Sequence, residues 1–255
     1  MPGGWGVVWR RRAGPHFYSN INSAQSPLLY VRSNITGGSD IPGHAPAIGV
    51  AYATRVPAET EVRELSTAQF VATLDTLTWI YGHAMAAPAG ELPGRLAIMQ
   101  RHAGNPGFRA VVTSPEAPAG PVGFAYGFHG SPGQWWHDVV HATLSADRGS
   151  ATASWWLGDC FEVAEVHVHP GHQGRGAGRA MMHRLAAGLA ERTAVLSTPD
   201  GHTRARRLYR SLGFGTLLPV LSFPGAGSAY AIMGAVLPLP GTRSVAPRSA
   251  SPSRR

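Results

Sequence analysis

Beyond residue 58 the sequence divides into two kinds of stretch: apolar positions recur every three or four residues, or they alternate and run together. This rhythm predicts the elements. Val62–Leu65 reads as a short strand. Ser66 is placed to cap a helix from Thr67 to about Met85, with Phe70, Leu74, Leu77 and Tyr81 on one stripe. Pro88–Pro93 interrupts it, and Leu92–His102 predicts a second helix that stops at Gly104-Asn105-Pro106-Gly107. Phe108–Thr113 and Val122–Phe128 predict a hairpin across a Pro/Gly loop. Gln134–Ala146 predicts a helix and Asp147–Ala153 a loop. Phe161–His169 is the most strand-like run in the chain. Gly178–Arg192 predicts a helix with Met181, Met182, Leu185 and Leu189 on one stripe, and Ala194–Thr198 a strand. Thr203–Leu212 predicts a helix stopped by Gly213. Phe214–Leu221 and Ala229–Val236 are the last two strands.

Hairpins and crossovers together imply an α/β (mixed α+β) domain over residues 59–238, a mixed sheet with helices on its faces. Residues 1–58 hold no sustained period and are broken by Gly-Gly, Gly-Pro, Ser-Pro and Ala-Pro. They read as a disordered extension, or as one added by a misassigned start codon. Residues 239–255 form a Ser/Pro/Arg tail expected to be disordered.

Charge changes the picture only through its location. The net charge is +8, but residues 1–58 hold five Arg against one Asp, and residues 240–255 four Arg and no acid. The body between them balances to zero. A nucleic-acid groove places its basic stripe on the folded domain, so nucleic acid is not an expected partner. The chain contains no Lys, and its heavy Arg, Ala, Gly and Pro usage reads as coding bias, as in a GC-rich bacterial genome. Cys160 is the one cysteine, which excludes an internal disulfide and agrees with a reducing, cytoplasmic setting. No run approaches the roughly 18 apolar residues of a membrane helix.

The candidate chemistry centres on Val166-His-Val-His-Pro-Gly-His-Gln173-Gly174-Arg175-Gly176-Ala177-Gly178-Arg179, a strand leading through a glycine-rich turn into a helix. Glycines let main-chain N–H groups converge on an anion, and the helix N-terminus adds a partial positive charge. A P-loop requires Lys, which is absent. A Rossmann turn requires a third glycine where Arg179 stands, and the flanking hairpins do not suit a doubly wound sheet.

Gln173-x-x-Gly176-x-Gly178 after a V-x-V-x-P strand resembles the pyrophosphate motif of the GNAT superfamily of N-acetyltransferases. Ala205-Arg-Arg-Leu208-Tyr209-Arg-Ser-Leu-Gly213-Phe214 is similar to that family's second motif, A-x-x-L-Y-x-x-x-G-F. The resemblance implies a GNAT fold: a mostly antiparallel sheet of six or seven strands with a splayed parallel pair at an acetyl-CoA site. It implies N-acetyl transfer from acetyl-CoA to a primary amine by direct attack, or else a non-catalytic acyl-CoA-binding regulatory module of the same fold. The implied cofactor contacts are Val166, His167, Val168 and residues Gln173, Gly174, Arg175, Gly176, Ala177, Gly178 and Arg179. The Val168 N–H is the candidate oxyanion donor. The family often has Asn where this chain has His202, whose side chain can still donate.

Tyr209, in the family's L-Y position, is the expected general acid toward the leaving thiolate. Glu162 and Glu165 are the candidate bases, with a water chain as the alternative. On a regular strand an odd separation puts them on opposite faces, with Glu162 on the Val166/Val168 side. That parity favours Glu162, and a bulge would overturn it. His167, His169 and His172 read as solvent-facing or acceptor-lining, with no metal expected. Trp135-Trp136 and Trp155-Trp156 each place one ring inward and one outward. The acceptor is the amine of a small molecule, a peptide or a protein. No membrane partner is expected, and a homodimer stays open because dimers are common in such folds.

Overall fold

The computed structural model describes residues 61–115, 120–223 and 228–242. The segment 1–58 and most of the Arg-rich tail lie outside the described residues. The first strand, β1 (Glu61–Leu65), leads into α1 (Thr67–Ala72) through a reciprocal cap. The Ser66 hydroxyl accepts from the Gln69 N–H at 3.2 Å, and the Gln69 side chain accepts from the Ser66 N–H at 2.9 Å. The single helix expected over 67–85 is divided at Thr73, whose hydroxyl donates back to the Gln69 carbonyl at 2.7 Å. The chain restarts as α2 (Leu74–Met85), followed by α3 (Leu92–His102).

A hairpin of β2 (Arg109–Ser114) and β3 (Gly123–Gly130) comes next, then α4 (Trp135–Arg148). The loop expected over 147–153 is corrected by α5 (Ser150–Leu157). The rest runs β4 (Cys160–Val168), α6 (Ala177–Ala186), β5 (Thr193–Pro199), α7 (Arg204–Ser211), β6 (Gly215–Ser222) and β7 (Ala229–Val236). The sixth helix is shorter than the expected 178–192, because the chain turns extended at Ala187 and left-handed at Gly188. The packed body also runs past 238: Leu239 is buried in the core, and Thr242 bonds back to its carbonyl.

The strands form one seven-stranded mixed sheet, β1-β2-β3-β4-β5-β7-β6, antiparallel throughout except for the β4–β5 pair. On one face α6 and α7 bury Met181, Met182, Leu185, Tyr209 and Leu212 against Phe161, Val163 and Met233. On the other, α1–α3 cover Phe124, Tyr126 and Phe128, and α4–α5 cover Cys160, Val195 and Ile232. Trp136 and Trp156 pack inward while Trp135 and Trp155 stay exposed. No helix among the described residues is long and apolar enough to cross a membrane.

Two irregularities of β4 shape the centre of the sheet. First, Tyr126 pairs with Glu165 but Gly127 pairs with Val163, so Ala164 is an extra residue, a β-bulge. Second, β4 pairs with β5 only at Cys160, Phe161 and Glu162, after which the two parallel strands part. The bulge sits where β3 comes closest: a Cβ on Gly127 would lie 2.3 Å from the Glu162 carbonyl oxygen and 2.4 Å from the Phe161 ring. Gly127→Ala must therefore push β3 from β4. We expect a loss of about 1–3 kcal/mol in a denaturant titration, the usual cost of overpacking. An unchanged midpoint would mean the strands do not approach so closely.

Candidate active site

The bulge reverses the alternation of β4 halfway along. Phe161 and Val163 face α6, and so do Val166 and Val168. Glu162, Ala164, Glu165 and His167 all face the α1–α3 side, beside Phe128, Tyr126 and Phe124. This corrects the parity expectation: Glu162 does not share a face with Val166 and Val168, and both carboxylates lie on one face. A regular strand cannot do this, and nothing in the local sequence announces the extra residue.

The same register fixes the main chain. The His169 N–H bonds to the Val122 carbonyl at 2.8 Å, so His167 and Glu165 spend their main-chain groups on β3. Those of Val166 and Val168 point the other way, toward the space that β5 has vacated. The Val168 carbonyl accepts from the Gln173 side chain at 2.9 Å. His167, expected among the cofactor contacts, directs its main chain to β3, and its ring hydrogen-bonds Glu165 on the α1–α3 face.

Beyond β4 the chain makes a short 3-10 turn at Pro170–His172 and enters the glycine turn. Gly174 and Gly176 have φ of 78° and 88°, and a Cβ on either would enter open space. Both therefore need glycine for conformation, and the space over them is free for a ligand. Gly176 is the N-cap of α6 and provides no side-chain bond, so the first-turn N–H groups of Ala177, Gly178 and Arg179 have no intrahelical partner. Gly178 packs α6 on α7, its would-be Cβ 3.0 Å from Leu208, and Arg179 donates to the Ser211 hydroxyl at 2.6 Å. Arg175 is exposed at the rim. His202 is exposed in the loop before α7, where its carbonyl accepts from Arg207 at 3.3 Å. A pyrophosphate fits this cradle, and a pantetheine chain fits the vacated edge of β4.

The two carboxylates differ sharply in surroundings. Glu165 divides its oxygens: Oε1 accepts from Arg95 of α3 at 2.8 Å, and Oε2 is bonded by the His167 Nε2. These positive and donor groups outweigh burial and hold its pKa below the ordinary value. Glu162 is buried, and its Oε2 has no hydrogen-bond partner. Desolvation alone raises it to about 8. One carboxyl is thus held ionised and the other is pushed toward neutrality. Tyr209, at the α6–α7 face, has its hydroxyl pKa raised by burial and then by the charge of Glu165, so it holds its proton at neutral pH.

Several side chains around this face carry no distinctive sequence signal. Arg95 lies over the Tyr81 ring at 4.6 Å, and Tyr81 meets His167 edge-on at 5.1 Å. His102 Nδ1 is 3.1 Å from the Tyr126 hydroxyl, and burial depresses its pKa to about 4. The half-exposed Trp79 stacks on His169 at 4.9 Å and touches His83 at 4.2 Å. His169 and His172 thus form part of an aromatic cluster at the open end of β4. No group of three or more metal-ligating side chains is gathered among the described residues.

Glu162 has a sign that can be checked. Its folded pKa lies above the ordinary value of 4.5, so the unfolded chain is the more ionised form and native stability falls as pH rises from about 4.5 to about 8. Glu162→Gln removes that penalty. The melting temperature of the variant relative to wild type should increase between pH 5 and pH 9. A difference that stays flat or falls with pH would contradict the buried, unpaired carboxyl.

Comparison with known proteins agrees with this geometry. A model of the acetyltransferase (GNAT) domain matches residues 133–216. The GCN5-like protein acetyltransferase Rv2170 of Mycobacterium tuberculosis is 36% identical over 189 residues, which is 65% of this chain and 91% of that protein. Among solved structures, yncA from Salmonella typhimurium, determined with its cofactor acetyl-CoA, is 22% identical over 76% of this chain and all of its own, with a TM-score of 0.44. A GNAT-family acetyltransferase from Bacillus cereus is 13% identical over 69% of this chain and 96% of its own, with a TM-score of 0.46. Those two likenesses are too distant to carry an inference, whereas the sequence relative is close and nearly full-length. With the glycine cradle, the parted strands and that relative in agreement, the chain belongs to the GNAT family of acetyltransferases, enzymes that draw their acyl group from acetyl-CoA.

Proposed function

We propose that this enzyme moves an acetyl group from acetyl-CoA to a primary amine by direct attack, with Glu162 as base and Tyr209 as acid. The observation that carries the reading is the place of Glu162: it is the last residue of β4 paired with β5, so its buried, unpartnered carboxyl stands at the root of the fork. The donor supplies a thioester, whose carbonyl carbon is the electrophile. The main-chain groups of Val166 and the N–H of Val168 hold the arm along the open edge of β4. The N–H groups of residues 174–179 and the Arg175 and Arg179 guanidiniums hold the diphosphate.

An amine arrives as an ammonium and must lose a proton before it can attack. A carboxyl near neutrality suits that transfer, and Glu162 takes the proton on Oε2. As the new C–N bond forms, the Val168 N–H donates to the oxygen that gains charge. The C–S bond then breaks as Tyr209 gives its proton to the thiolate, and the second proton that the nitrogen sheds on becoming an amide returns through water to Tyr209. Base and acid come from opposite faces of the sheet, and the gap where β4 and β5 part is the proposed route between them. That arrangement supports attack from one side and departure on the other. The name of the mycobacterial relative favours an acceptor amine on a protein, and the relatively open aromatic cluster of Trp79, His83 and His169 is compatible with a chain approaching from solvent.

Three outcomes test the reading. Free thiol release with acetyl-CoA and a panel of small amines and proteins should identify an acceptor, and no release across the panel would leave a CoA-binding module. Tyr209→Phe should lower kcat on the order of 10–100-fold while changing the acetyl-CoA Kd less than about threefold. Equal losses in both would argue against an acid. Gly176→Val should abolish acetyl-CoA binding in a calorimetric titration, and an unchanged affinity would remove the pyrophosphate assignment.

A further inference from the structure

The bulge that brings Glu162 and Glu165 to one face creates a difficulty. Two carboxyls on one buried face of a strand can compete for a proton, and competition blurs which of them accepts from the acceptor amine. The structure resolves this with a residue from outside the strand. Arg95 reaches from α3 to Oε1 of Glu165, and His167 occupies Oε2. The guanidinium is itself held against the Tyr81 ring. Its side chain is 28% exposed and that of Glu165 10%, so the pair is shielded but not isolated from water. No comparable partner reaches Glu162 Oε2.

We propose that Arg95 is a positioning residue: it keeps Glu165 a carboxylate with both oxygens engaged, and so reserves the acceptor's proton for Glu162. The proposal rests on the reading of Glu162 as base. The charge balance around Glu165 supports it from every side. Arg95 and His102 face it from α3, His167 from β4, Tyr126 from β3, Tyr81 from α2 and Tyr209 from α7. Of these, only Arg95 carries a permanent positive charge. His102 is bonded to Tyr126 and its pKa is depressed by burial, so it is neutral above pH 5 and cannot substitute. Without Arg95, the His167 bond would be the main group opposing burial at Glu165, and its titration would move up toward that of Glu162. The proton taken from the ammonium nitrogen could then stop on either oxygen pair, and the His167 ring would lose its fixed anionic acceptor.

The test reads the carboxyls directly. In protein labelled with carbon-13 at the Glu side-chain carboxyl, NMR titration of the wild type should show Glu162 changing state near neutrality and Glu165 ionised from pH 5 to pH 9. A Glu165 transition inside that window in the wild type overturns the proposal without any variant. Arg95→Gln keeps a donor and removes the charge, and it should bring a second carboxyl transition above pH 5. Arg95→Lys should leave one, and Arg95→Gln with Glu165→Gln should return to one. In turnover, the acid limb of kcat/KM should lose its single-transition slope of about tenfold per pH unit in Arg95→Gln and broaden over both carboxyl transitions, since either carboxylate then accepts. It should regain its slope in the double variant. A limb of unchanged shape with kcat lowered equally at every pH marks Arg95 as merely structural and overturns the proposal. The carboxyl titration needs no acceptor, so a protein that acetylates nothing yet shows these transitions would remove the catalytic reading while leaving the role of Arg95 intact.

Discussion

After Glu162 pairs with Val195, β4 and β5 pair no further, and the proposed cofactor site depends on that loss of pairing. Exposed strand edges are costly and prone to mispairing, so a sheet that opens in its middle must have something to put there. Here the open edge presents the main-chain groups of Val166 and Val168. A thioester-bearing arm can complete the ladder that β5 abandons. The sheet recovers its continuity on the far side, where β5 pairs with β7 along its whole length, so the opening is local and its walls are firm.

The bulge at Ala164 acts with the fork. One strand must show apolar side chains to α6 along its whole length and yet carry two acids on the face beneath α2 and α3. Strict alternation would bury one acid among Met181 and Leu185. The extra residue turns the second half of β4 over, so Val166 and Val168 stay with the core while Glu165 and His167 join Glu162. Arg95 then pairs with Glu165 at 2.8 Å, while Glu162 has no such partner. The proposed chemistry therefore rests on a strand defect and a distant cation together, neither of which belongs to a recognisable motif.

The glycine turn, the L-Y helix and the order of strands are legible in the sequence because each depends on local pattern: φ values only glycine tolerates, or a period that a helix or strand imposes. The bulge is not legible, since Val163-Ala164-Glu165 looks like any strand interior. Parity favours Glu162 as base only on a regular strand, and the bulge breaks that parity; burial and an unpartnered oxygen support Glu162 instead. Arg95 is invisible in the sequence because its significance comes from a contact 70 positions along the chain. The helix at Ser150–Leu157 is hidden because Gly149 and a run of small Ser, Ala and Thr residues look like a loop, and tertiary packing of Ala153 and Leu157 decides otherwise. The helix break at Thr73 coincides with a side-chain bond to the Gln69 carbonyl that no sequence period reports.

The central claim, that the parted edge of β4 and the glycine turn form one continuous cofactor site, is tested most directly by amide NMR during a titration with CoA. A continuous site requires the amides of Val166, Val168, Gly174, Gly176 and Ala177 to shift together along a single binding curve, while those of β1 and β2 stay in place. If the turn amides move without Val166 and Val168, or if the largest shifts lie outside the fork, the claim is contradicted.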